Sequence, residues 1–223
     1  MGYRLDDKEI TLTRKNLKKI GTGVTGDVYK YKNSALKIFK KDKETPIDQE
    51  TAEYLTGIST NRIILPNNLL FFNNAFRGCK YKLVSKKGMG NKMIMLPTDE
   101  LLENVSIIEK DIETLSKKQV LLNGVEPDNT IFNGKLYITD PTKYSILEEI
   151  DEEELEKLNK YQFHLLFITL ILQEIRKINF QNRVEKEVKE LLEMKDFSKD
   201  TSDYLKELIG DSETFKQFVK RMD

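Results

Sequence analysis

The sequence predicts an α+β chain of two lobes, a small strand-rich N-terminal lobe at about residues 10–86 and a reduced helical C-terminal lobe at about 87–223. Strand-period apolar residues separated by Asn-containing turns dominate the first third, whereas helical apolar periodicity dominates from Thr98 onward. Size supplies the third observation: 223 residues are long for one compact core and short for two independent ones, so residues 1–223 read as a single domain.

The elements follow in order. Val28 to Tyr31 and Ala35 to Phe39, joined by Lys32-Asn33-Ser34, form a hairpin, and a helix is expected from about Thr45 to Ile58 with Pro46 tolerated in its first turn. Strands at 69–72 and 79–84 turn at Asn73-Asn74, and a short connection runs from Val84 to Gly90. Thr98 opens the second lobe as a helix cap, with Asp99 and Glu100 at the positive helix end and an apolar stripe of Leu101, Val105, Ile108, Ile112 and Leu115. Val120 to Leu122 follows, then a polar irregular segment, then a tight hairpin of 130–132 and 136–138 about Asn133-Gly134. Helices are expected at 151–177, 183–195, 202–209 and 213–221, the first opening with the acidic run 148–154, a solvated helix start or a partner-binding patch.

Composition narrows the function classes. Thirty-seven Lys plus Arg balance thirty-seven Asp plus Glu, leaving no net field for a nucleic-acid backbone or an anionic membrane. The longest apolar stretch, Phe163 to Leu172, is half of the ~20 residues a bilayer span requires and reads as a buried helix, with His164 as a core or boundary residue. The lone cysteine, Cys79, and the absence of an apolar signal core at the N-terminus lead us to expect a reducing, cytoplasmic location.

Chemistry concentrates in two segments. Gly21, Gly23 and Gly26 stand at phosphate-loop spacing in GTGVTGDV, where backbone amides approach an anion without interference from Cβ atoms. A strand rather than a helix follows them, which favours a glycine loop folded over a nucleotide between two strands. Lys37 lies eleven residues beyond Gly26 on the same strand face as Ala35. Farther along, LNGVEPDNTI (122–131) precedes the 130–138 hairpin, which ends at Asp140.

These motifs, in this order, resemble the protein kinases: the glycine loop ending in Val28, the Ala35-x-Lys37 strand, the catalytic-loop pattern ending in Asn129, and the strand-end Asp140. The resemblance covers residues 15 to about 145 and implies a nucleotide site of Gly21, Gly23, Gly26, Val28, Ala35, Lys37 and Val84, with ATP and Mg2+ as the ligands. It also implies that Asn129 and Asp140 hold the metal and that a helix glutamate, Glu50 or alternatively Glu53, positions Lys37.

The departures are equally specific. Gly124 stands where the family keeps its catalytic aspartate, Leu122 and Asn123 replace His and Arg, Glu126 replaces a phosphate-contacting lysine, and Asp140 is followed by Pro141-Thr142. The resemblance therefore implies nucleotide binding with impaired phosphotransfer, serving a protein partner or substrate. The alternatives are an active atypical Ser/Thr kinase, a small-molecule phosphotransferase, and AMP transfer to protein.

Overall fold

The structure, a computed structural model, describes residues 2–13, 15–40, 45–85, 93, 96 and 98–176. Seven strands form one antiparallel sheet: β1 (Tyr3–Leu5), β2 (Lys8–Ile10), β3 (Leu17–Thr22), β4 (Gly26–Tyr31), β5 (Ser34–Phe39), β6 (Pro66–Phe72) and β7 (Ala75–Lys82), in the order β2-β1-β6-β7-β5-β4-β3. The expected hairpins form β4–β5 and β6–β7. Asn73 and Asn74 both take positive φ (49° and 65°), the backbone twist a two-residue hairpin turn demands. β1 and β2 carry no sequence signal recognised above, being three residues each around a positive-φ Asp6.

Helix α1 (Gln49–Thr56) is shorter than expected, because Asp48 accepts from Thr51 N at 2.7 Å and so starts the helix at Gln49, four residues after Thr45, while Gly57 closes it. Helix α2 (Thr98–Ser116) forms where the apolar stripe predicts it, with Thr98 as its first residue, and all five residues of the stripe are fully buried. The strands β8 (Val120–Leu121) and β11 (Ser145–Ile146) pair with one another, as do β9 (Thr130–Phe132) and β10 (Leu136–Ile138). Helix α3 (Glu152–Arg176) opens with three exposed glutamates behind Asp151, whose carboxylate accepts from the Glu153 and Glu154 amides, as a solvated helix start does. The helices expected at 183–195, 202–209 and 213–221 and most of the 84–90 connection lie outside the described residues. No described helix is long and apolar enough to cross a membrane.

One hydrophobic core joins the sheet to the helices. The α2 stripe, Phe163, Leu166 and Phe167 of α3, and Leu55 of α1 share a cluster with Leu69, Phe71, Cys79 and Tyr81 of the sheet. A smaller cluster of Tyr31, Leu36 and Leu70 lies on the other sheet face, joined by residues from β1, β2 and β3, so the sheet curls around it. Backbone bonds reinforce the junction: Ile64 N donates to Ile138 O (2.8 Å) and Ile138 N to Arg62 O (3.0 Å). Buried Asp111 of α2 locks that segment by accepting from the amides of Asn61, Arg62 and Ile63 at 2.6–3.0 Å.

Candidate functional site

Strand alternation places Ala35 and Phe39 against the large core and Leu36 and Ile38 against the small one, so Lys37 turns inward beside Ala35. Gly21, Val28, Lys37 and Cys79 form one cross-strand row. At Gly26 a Cβ would sit 2.7 Å from the Ile38 carbonyl oxygen, and at Gly78 it would collide with the Lys37 carbonyl, so both neighbouring strands approach β5 as only glycine permits. The glycine turn is pinned to the end of β5: Gly23 N donates to Gly26 O, and Lys40 Nζ donates to Gly23 O, each at 2.8 Å. Its Asp27 carboxyl is held below the usual range by a hydrogen bond from Lys19, 2.9 Å away. Gly23 itself is exposed at the turn.

Lys37 is 4% exposed, and a buried ammonium requires a counter-charge. That charge is Asp140, whose two carboxylate oxygens lie 2.5 and 2.6 Å from Lys37 Nζ. Asp140 follows β10 with φ 64° and ψ 69°, a left-handed conformation that costs a non-glycine residue roughly 1–2 kcal/mol. Three contacts hold it there. Thr142 Oγ1 donates to Asp140 Oδ1 at 2.8 Å, and both the amide and the hydroxyl of Thr139 donate to the Asn129 carbonyl at 2.7 and 2.9 Å.

Asn129 closes the 3-10 turn Pro127–Asn129, and its Nδ2 donates to Gly124 O at 3.1 Å, which orients the amide and makes Oδ1 the atom for a ligand. The loop begins under equal control. Asn159 of α3 accepts from Leu122 N (2.8 Å) and donates to Val120 O (2.9 Å) and Ser116 Oγ (3.0 Å). Lys37, Asp140 and Asn129 are thus assembled at one place, with Val28 and the glycine turn alongside and Ala35 and Val84 partly buried against the core.

The glutamates stand apart from this assembly. Glu50 and Glu53 are both exposed, and Lys37 bonds Asp140 in their stead. Helix phase is the reason: Ala52 and Leu55 face the core, and Glu50, two residues from Ala52, points about 200° away around the axis. His164 is buried as expected but is not without a charged neighbour, since Glu109 of α2 lies 3.1 Å from its Nε2.

Gly124 has φ +70°, and the space a Cβ would take is filled by the side chain of Lys143, whose Nζ bonds Glu126 at 2.7 Å. An aspartate there would be strained and would have to displace that stem. Behind Asp140, burial pushes the Cys79 thiol up to about 12 and the Tyr144 hydroxyl well above its ordinary range. Thr142, Lys143, Tyr144 and Asn159 carry no motif; only their spatial neighbours reveal them. Among the described residues no three His, Cys, Asp or Glu side chains gather to hold a metal. No protein-family model and no curated protein matches this chain.

Proposed function

We propose that the chain is a two-lobed, protein-kinase-like nucleotide-binding protein that holds ATP with Mg2+ and transfers phosphate poorly to hydroxyl acceptors because Gly124 supplies no base. The single observation that carries this reading is the Lys37–Asp140 pair, held in a left-handed backbone conformation one hydrogen-bonded step from Asn129. A left-handed backbone retained at a buried charge pair supports a functional reading of that pair. The pair also fits its ligand electrostatically. Lys37 and Asp140 neutralise each other, so neither can leave the other without a replacement charge; a polyphosphate with a divalent cation offers both, an anion for Lys37 and a cation for Asp140. Asp140 and the Asn129 amide are hard oxygen donors of the type Mg2+ takes, with phosphate oxygens able to complete the set. Bound Mg2+ would neutralise phosphate charge, while Lys37 and the glycine turn bind and orient the phosphates.

Thermal unfolding tests this. Mg2+ with ATP at about 100 times its dissociation constant should stabilise the protein by about 2.7 kcal/mol, because ligand binds only the folded state. Lys37→Met and Asp140→Asn should each remove most of that shift, and a wild type unmoved by millimolar Mg-ATP sinks the reading. Intact-mass analysis after incubation with ATP labelled at the γ- or the α-phosphate then separates kinase activity from AMP transfer and from binding alone.

A further inference from the structure

The acceptor side of the site carries a cation where a base is required. The Lys143 stem occupies the space of a side chain at position 124, and its ammonium lies 2.7 Å from Glu126 Oε1. Among the described residues, the nearby carboxylates stand off position 124. Glu126 is engaged by Lys143, Asp140 by Lys37 and Thr142, and Asp128 is exposed on the Pro127–Asn129 turn. Among the described residues, a hydroxyl acceptor entering beside Gly124 meets the Lys143 stem where a base would stand at position 124, whereas an oxygen already ionised at neutral pH needs no base.

We propose that the phosphoryl acceptor of this site is an ionised oxyacid, a carboxylate or a phosphate group, oriented by Lys143. This rests on the nucleotide-site reading above. In the step, an acceptor oxygen forms a bond to the γ-phosphorus as the bond from that phosphorus to the β,γ-bridging oxygen breaks. The electron pair leaves with ADP and no proton moves. The product is an anhydride, an acyl phosphate or a pyrophosphate. Glu126 holds Lys143 in the meantime, and the incoming anion takes its place, since an ammonium pairs with either oxyanion.

The experiment follows ADP release from Mg-ATP by the full chain with added inorganic phosphate, acetate or glycerol, the first assayed for pyrophosphate and the second trapped with hydroxylamine as the hydroxamate. A thermal shift by Mg-ATP is recorded on the same samples. Phosphate, acetate or both should raise ADP release at least about tenfold with their anhydride products, and glycerol should not. The arm that responds names the acceptor source. Lys143→Ala should raise the acceptor KM about tenfold, the scale of one charge-assisted contact, and Lys143→Arg should restore it. Acceleration by glycerol alone, or a clear Mg-ATP shift with transfer to neither anion, overturns this proposal and leaves nucleotide binding standing; no shift overturns both.

Discussion

At the residue scale, Asp111 shows how much one buried carboxylate can organise. It lies on α2, 2% exposed, and satisfies three consecutive backbone amides that start the chain's passage from α1 into β6. Asp111→Ala leaves those donors buried and unpaired, so it should cost about 3 kcal/mol or more, measured by urea unfolding. Nothing in the sequence announces this residue, since its partners are about fifty positions away and the helix reads as an apolar stripe. The same limit hid Glu109 beside His164. Lys37, Asn129 and Asp140 were legible because their spacing around a glycine loop and a hairpin is a local pattern. The lysine's partner was not, because choosing between Glu50 and Glu53 requires the rotational phase of α1, which Asp48 and the burial of Ala52 and Leu55 set.

At the scale of elements, α3 does more than fill the core. Through Asn159 it fixes both sides of the turn from β8 into the 122–129 loop, satisfying Leu122 N and Val120 O in the interior. Asn159→Ala should cost about 2 kcal/mol and weaken Mg-ATP binding together with stability, because it leaves two buried backbone groups unpaired and frees the loop that carries Gly124 and Asn129. Calorimetry with nucleotide titration checks both effects; a destabilised variant with unchanged affinity would disconnect the helix from the site. Long periodic elements were legible: α3 begins and ends within a residue of expectation, and α2 carries its whole expected stripe. Short ones were not. β11 is two residues and β1 and β2 three each, too brief to show a period, and they exist because a neighbouring strand offers unsatisfied amides and carbonyls.

At the scale of the whole molecule, the interior behind the site is stocked with acids kept protonated. Burial raises the Cys79 thiol from its ordinary value of 9.0 to about 12, and Tyr81 and Tyr144 move upward with it, the Asp140 charge adding to the effect. Above pH 9 the unfolded chain therefore loses protons that the folded chain keeps, so stability falls as pH rises between 9 and 12. The melting temperature should drop steadily across pH 8.5–11 and less steeply in Cys79→Ala. A flat profile would mean the thiol titrates freely in the native state.

The sequence by itself determined the α+β class, the hairpins, the two long helices and the positions of the glycines, Lys37, Asn129 and Asp140, because periodicity, turn chemistry and motif spacing are encoded within some ten to twenty neighbouring residues. Tertiary structure alone decided the seven-strand order, the pairing of Lys37 with Asp140, the anchoring by Asp111 and Asn159, and the entry of Lys143 into the space beside Gly124. Those features join residues up to 103 positions apart. They depend on which charges and backbone groups are left unsatisfied when the sheet and helices close on one core, and only the closed chain contains that information.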